Sequence, residues 1–451
     1  MERLRDLIGF LKDAADTAEE RIEAALDEHA RAKDLSPAHA ESDDLLEHDA
    51  NGLAESVAAV ESILVEAVAA RASDIHFENE LQGVRIRIRV DGDLRALPGH
   101  DVDKPRLERI VRVLKVRSSM DISEHRRAQG GQFSAVIGGQ TWFVRAQTQP
   151  TVRGENVILR LLPEGASLLQ SIADLGFSSH AEERYRRLLA NPGGLILVVG
   201  PTGSGKTTTL YAGLKALAVD ESRKVISIED PVEFGCEGVQ QVEVNRDARF
   251  TFADAMRAFV RQDPDVILLG EIRDGESALE AIRASQTGHL VLSTLHCNDA
   301  VDAVQRLLDL GMHANSVSSE LLAVFAQRLA KRICPECREA CTPEVEVVAE
   351  VFPDGVPADF SCFRGRGCDA CEGTGYHGRI AIVEVLPMDA RLRNVIAHGA
   401  TLEELRLAAR ESGIVSLRDR SLELVQEGTI AFESLPRFIP IDRLAPPADS
   451  D

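Results

Sequence analysis

Eight consecutive residues, Gly200-Pro201-Thr202-Gly203-Ser204-Gly205-Lys206-Thr207, form the pattern of a phosphate-binding loop. An apolar run precedes them at 195–199, and a helix-forming stretch follows. Glycines in such a loop let backbone N–H groups turn inward around phosphate oxygens, and the helix behind adds its positive end. Lys206 then reaches the β- and γ-phosphates, Thr207 ligates Mg²⁺, and Thr208 completes the nucleotide-binding set. The chemistry this predicts is binding and hydrolysis of ATP. The cradle does not say what the hydrolysis drives.

The next two apolar runs end in acid. "ISIEDPVEF" supplies Glu229 and Asp230, and "DPDVILLGEIRD" supplies Glu271. Carboxylates at the C-terminal edge of a parallel sheet stand beside the crevice where ligands bind. Either glutamate could orient water or hold Mg²⁺; Glu271 is assigned to the ion together with Thr207. The second of these runs ends in glutamate where a Walker B strand usually ends in aspartate. His289 and His296 flank the following apolar run, seven residues apart, as candidates for sensing the γ-phosphate.

Eight cysteines form a third constellation. Cys334-Pro-Glu-Cys337 and Cys368-Asp-Ala-Cys371 are two C-x₂-C pairs with 30 residues between them. Clustered cysteines in a long cytosolic chain bind metal more often than they form disulfides. Four thiolates suit tetrahedral Zn²⁺ and leave no open position, so the predicted ion is structural. Cys341 and Cys362 are spare thiols and candidate substitute ligands. The run "CDACEGTG" also resembles the repeat of DnaJ-type chaperone zinc domains, but those carry several copies and this chain has one.

These groups need elements to position them. A chain of 451 residues allows two to four domains, and 44% hydrophobic residues is ordinary for a globular protein. No apolar run approaches the roughly 20 residues of a membrane span, and the charged N-terminus does not read as a secretory signal. The expected location is cytoplasmic. Formal net charge is −22, and residues 1–50 hold 15 acidic and 6 basic side chains. That balance argues against nucleic acid or anionic lipid as a bulk partner.

Residues 1–51 read as an acidic helical arm and linker. Leu4, Ile8, Leu11, Ala15, Ala18, Ile22 and Ala25 make a heptad-like stripe, and 34–51 the linker. Residues 52–165 read as a small α+β domain. Val57, Val60, Leu64 and Val68 mark a helix; Val84, Ile86, Ile88 and Val90 alternate with Arg85, Arg87 and Arg89 in a strand that enters an Asp91-Gly92 turn. Residues 166–330 alternate short apolar strands with helices, the pattern of a doubly wound α/β core. Residues 331–380 form the cysteine-rich insertion, and 381–451 are read as a helical domain with a loose tail.

The ordered set resembles the secretion ATPase superfamily, the motors of bacterial type II secretion and type IV pilus assembly. The loop at 200–207, "EDPVEF", "RQDPDVILLGEIRD" and "TGHLVLSTLHCNDA" match that family's boxes in order. Upstream, "ASDIHFE", "RVDGDL", "MDISEHRRAQGGQ" and "PTVRGENVILRLL" look like its second N-terminal domain. The resemblance implies a RecA-like P-loop core preceded by a small PAS-like α+β domain, with a tetracysteine zinc subdomain and a helical C-terminal region. It implies a homohexameric ring with each ATP between a core and an adjacent N-terminal domain. Arg145 and Arg160 match the family arginines that approach the nucleotide, and Arg257, Arg261 and Arg273 match arginines around its Walker B region.

The implied setting is the inner face of the cytoplasmic membrane, reached through a platform protein and a docking protein, with pilin-like subunits moved indirectly. The two cysteine pairs favour assembly over retraction. The competing readings are a pilus retraction or DNA-transfer motor and a nucleotide-binding scaffold without turnover; intact Lys206, Thr207, Glu229 and Glu271 speak against the last. This chain departs from the family pattern at His125, at Ala128-Gln129-Gly130-Gly131, at Cys297 in place of threonine, and in having only a net-acidic segment of about 50 residues ahead of Leu53.

Overall fold

Alternating apolar and charged residues build the first of two units. In the computed structural model, which describes residues 43–163, 171–245 and 247–446, the chain divides into Met1–Glu164 and Gly165–Asp451. The heptad-like stripe of residues 4–25 and the tail at 447–451 lie outside the described residues.

The first unit is a six-stranded antiparallel sheet. In spatial order its strands are Asp93–Ala96, Gly83–Val90, Asp74–Glu80, Gly154–Pro163, Gln140–Thr151 and Gln129–Ile137. Ile86 and Ile88 are buried with Ile75, Phe77, Val144 and Leu159, while the intervening arginines take the other face. The helices Asp43–Ala69 and Lys104–Arg117 cover the apolar face with Val60, Ile63, Leu64, Leu107, Ile110 and Leu114. Each such side chain contributes about 2 kcal/mol on burial. A one-residue register slip would turn the apolar set outward, so the pairing is well specified. The first helix begins at Asp43 rather than at Gly52. Residues 43–51, read as linker, contain acid but no proline, and acid alone does not stop a helix.

The second unit holds a seven-stranded sheet. Its order is Tyr376–Pro387, Leu321–Ile333, Gly194–Val199, Leu290–Leu295, Val266–Leu269, Val225–Glu229 and Val239–Glu243. Pairing is parallel except where Tyr376–Pro387 runs antiparallel to Leu321–Ile333. The four inner strands from 194 to 295 are buried throughout, because helices cover both faces. Leu195, Leu197 and Val199 enter one core and Ile196 and Val198 the other.

This sheet crosses the expected boundaries. The strand Tyr376–Pro387 comes from beyond the cysteine-rich insertion, and a cut at 380/381 would divide it. The strands 321–333 and 376–387 are arms of one long hairpin, and the insertion is its connection. Within that connection, the ribbon of Arg338–Cys341 and Cys362–Gly365 joins the turns Pro335–Cys337 and Asp369–Cys371. Helices Ala390–Ala397, Leu402–Glu411 and Leu417–Gln426 follow. No helix among the described residues is long and apolar enough to cross a membrane.

Candidate active site

The strand Gly194–Val199 ends in the phosphate-binding loop, and the helix Lys206–Ala218 starts as the loop closes. Two glycines fix the path. Gly200 (φ 152°) and Gly205 (φ 87°) both lie against Gln327: an added Cβ would come within 2.5 Å of its carbonyl oxygen and 2.7 Å of its Nε2, respectively. Gln327 is 2% exposed. Its Nε2 donates to the Ser204 carbonyl at 2.8 Å, and its Oε1 accepts from the Thr209 hydroxyl at 2.7 Å. One buried amide therefore ties the loop at Ser204 to the first turn of the helix at Thr209, and a buried polar group without partners would be costly.

The cradle itself is open. Among the described residues, a Cβ at Gly203 would meet nothing within 4 Å, and the buried Ser204 hydroxyl has no partner. Lys206 Nζ donates to the carbonyls of Gly200 at 2.8 Å and Pro201 at 3.1 Å. Burial pulls its amine below the ordinary lysine value while Glu271 raises it. Beside the loop opens a cavity of about 390 Å³, lined among others by Thr202, Gly203, Asn298, Arg328, Phe438 and Pro440. That is the size of a small-ligand site. Thr207 and Thr208 sit on the first turn of the helix behind it.

The two candidate glutamates have different surroundings. Glu229 is 5% exposed and accepts from the Tyr211 hydroxyl, from the Ser227 hydroxyl at 2.7 Å and from Gln241 Nε2 at 3.2 Å. Glu271, just past the strand Val266–Leu269, pairs with Arg273 and lies 3.6 Å from His296 Nε2. Arg273 also reaches Asp230 at 3.3 Å. Glu271, Arg273, His296 and Asp230 thus gather at the sheet edge that carries the phosphate loop.

His289 is elsewhere. It precedes the strand Leu290–Leu295 and His296 follows it, so the two rings stand at opposite sheet edges, about 20 Å apart along the strand. His289 Nδ1 lies 2.9 Å from the Ala284 carbonyl and 3.0 Å from Thr287 Oγ1, closing the end of the helix Gly275–Gln286. Seven residues span a strand end to end, so sequence proximity here means spatial separation. The structure therefore sets His289 at the opposite end of this strand from the phosphate loop, which His296 adjoins.

The remaining arginines are placed as follows. Arg257 pairs with Asp254 at 2.8 Å and Glu276 at 2.9 Å across two neighbouring helices. Arg261 is exposed just beyond the first of them. In the first unit, Arg145 and Arg160 stand directly opposite one another on adjacent strands. Arg160 Nε lies 3.1 Å from Asp74, which faces it from the next strand. Like charges in direct register are unfavourable; Asp74 offsets one of them.

Several site residues carry no local signal in the sequence. Asp299 caps the helix Ala300–Asp309, accepting from the Asp302 amide at 2.6 Å. Arg443 pairs with Asp299 and Asp302, and Arg406 with Asp302. Arg328 donates to the carbonyls of Asn298 at 2.7 Å and Phe438 at 3.1 Å. Buried Glu384 accepts from the amides of Ala300 at 2.9 Å and Leu417 at 3.1 Å. Burial pushes its carboxyl up to about 7. Together they clasp the loop after His296 to the C-terminal helices. Gln327-Arg328 and Glu384, polar or charged inside otherwise apolar strands, are the members of this set that stand out in the sequence.

The cysteines of the two pairs converge. Their ligand atoms all lie within 4.8 Å of one another, with Sγ–Sγ distances of 3.9, 3.9 and 3.7 Å for 334–368, 337–371 and 368–371. A tetrahedron with Zn–S bonds of about 2.3 Å has edges of about 3.8 Å. The amides of Gly367 and Gly375 donate to the sulfurs of Cys337 and Cys371, as suits thiolate acceptors. Cys341 and Cys362 form a separate pair.

A family model described as type II/IV secretion system protein matches residues 49–437. The chain is 41% identical over 399 residues to the type II secretion system ATPase E of Vibrio cholerae, covering 88% of this chain and 77% of that one. It is 39% identical over 377 residues to the type IV pilus assembly ATPase PilB of Thermus thermophilus, covering 83% of this chain and 42% of that one. Among solved structures, the pilus retraction motor PilT with bound ADP is similar at 27% identity and a TM-score of 0.59, covering 84% of this chain and 97% of that one.

Proposed function

The chain belongs to the type II/IV secretion system protein family, and on that premise we propose that it hydrolyses ATP to power assembly of a pilus or pilus-like fibre, in type II secretion or type IV pilus biogenesis. One observation carries the reading: the Gln327-braced phosphate loop shares its sheet edge with Glu271, Arg273 and His296.

In the proposed mechanism the loop amides take the phosphates, and Lys206 exchanges its two loop carbonyls for phosphate oxygens. Thr207 and Glu271 would hold Mg²⁺, which supplies charge neutralisation when bound. Glu271 also orients the attacking water, and Glu229 acts from within its buried network. His296, beside Glu271, responds to the γ-phosphate. Arg145 and Arg160 supply positive charge to the nucleotide as the family arginines do, so loss of phosphate releases an attraction.

The working form we propose is a homohexamer at the cytoplasmic face of the inner membrane, held by a platform protein and possessing no membrane helix of its own among the described residues. Zn²⁺ on Cys334, Cys337, Cys368 and Cys371 would be structural, since the sulfurs fill all four positions. Assembly is favoured over retraction by relatives near 40% identity that carry secretion and assembly names, against 27% for the retraction motor.

The test is Glu271→Gln. It should still bind ATP and hydrolyse it about 100-fold more slowly. Hydrolysis at the wild-type rate would contradict the assignment.

A further inference from the structure

Cys341 and Cys362 belong neither to the nucleotide site nor to the four-sulfur cluster. They sit directly opposite each other in the antiparallel ribbon, 21 residues apart in sequence, with their sulfurs 3.5 Å apart. One strand of that ribbon leaves the turn at Cys337, and the other leads toward Cys368. The pair therefore closes the far end of a ribbon whose near end enters the cluster. Directly opposed residues on antiparallel strands have Cα atoms about 4.5–5.5 Å apart. A disulfide spans about 4.4–6.8 Å. The register and the 3.5 Å between sulfurs therefore put the pair within reach of a disulfide.

We propose that Cys341 and Cys362 are a reversible disulfide-forming pair, oxidised by exchange with a low-molecular-weight disulfide of the glutathione class. Cys341 is half-buried and Cys362 only 2% exposed, so the reagent meets Cys341 first. The Cys341 thiolate attacks the small disulfide, breaks its S–S bond and releases one thiolate. The Cys362 thiolate then attacks the Cys341 sulfur of the mixed disulfide and releases the second. The two protons of the protein thiols end on the two released small thiols. The protein loses two electrons and the reagent gains them. Burial holds both thiols above their ordinary range, with Cys362 pushed up to about 12; the exchange is slow at neutral pH and quickens as pH rises.

The bond would close residues 342–361 into a loop. That loop carries the helix Val345–Val351 and the rings of Phe352 and Phe360. Both rings rest on Phe432, with centroids 6.0 and 5.2 Å away. Oxidation would thus staple the loop in the position it already holds and stabilise this part of the unit.

The experiment uses the full zinc-loaded chain, incubated with oxidised glutathione and with dithiothreitol as the reverse arm. The expected result is a mass loss of about 2 Da without a glutathione adduct, one peptide link between Cys341 and Cys362, zinc retained, and reversal by dithiothreitol. The oxidised form should melt on the order of 5 °C higher. Cys362→Ser should stop at a glutathione adduct on Cys341. Failure of the wild-type chain to oxidise, a stable adduct on Cys341 without closure, or a link to any of the four clustered cysteines would each overturn the proposal. None of these readouts depends on ATP turnover.

Discussion

The Tyr211 hydroxyl donates to the Glu229 carboxylate inside the second unit, while Ser227 donates to that carboxylate's other oxygen at 2.7 Å. Tyr211 lies on the helix behind the phosphate loop, and Glu229 ends the strand beside it. The contact links the loop to the acidic strand end. Tyr211→Phe should cost about 1–2 kcal/mol of stability in urea denaturation, because Glu229 keeps a buried oxygen with one donor fewer. Its kcat should fall with KM for ATP unchanged, since the phosphate contacts are untouched. No change in either quantity would mean the network does not hold Glu229.

The two histidines should separate in mutagenesis. His296→Ala removes the ring 3.6 Å from Glu271 and should lower ATP turnover about tenfold, a loss of about 1.4 kcal/mol in transition-state stabilisation. His289→Ala removes a helix-end hydrogen bond and should cost about 1 kcal/mol of stability, with turnover per folded protein retained. Steady-state ATPase rates and denaturant midpoints of the two variants distinguish these. Equal loss of turnover in both would contradict the placement of His289.

Glu384 predicts a pH effect of definite sign. Its carboxyl titrates near 4.5 unfolded and about 7 folded, so between those values the folded state holds a proton that the unfolded state has released. Its contribution is fully present below about pH 4.5 and is lost as pH rises through about 7. The span is about 3 kcal/mol at most. Glu384→Gln cannot titrate, so its denaturation midpoint should depend less steeply on pH from about 5 to about 8. Parallel curves for variant and wild type would exclude the effect.

Metal analysis of protein purified without chelator should find about one zinc per chain. Cys371→Ser should lose it and melt earlier, with nucleotide affinity retained, because the phosphate loop is built on strand Gly194–Val199 and Gln327. Zinc-free wild-type protein with an unchanged melt would contradict a structural ion.

The local elements were legible because their signals are local. The glycines and Lys206 announce the cradle, strict alternation at 84–90 announces a half-buried strand, and two C-x₂-C pairs announce a cluster. What the sequence concealed depends on distant partners. Nothing near residue 327 says that its amide will brace a loop 123 residues away. The strand Tyr376–Pro387 joins the sheet only because its hairpin partner precedes the whole cysteine insertion. His289 and His296 look like neighbours because the strand between them is invisible as length until it is extended. Glu229 and Glu271 read alike in sequence; Tyr211 and Gln241, from a helix and an edge strand, make them differ.

In the proposed function, ATP turnover belongs to an assembled ring and depends on Arg145. The most direct test is Mg²⁺-dependent ATPase activity across size-exclusion fractions, wild type against Arg145→Ala. The account predicts activity confined to the large oligomer and lost in the variant, with the oligomer itself preserved. Equal activity in the monomer fraction and in Arg145→Ala would contradict it.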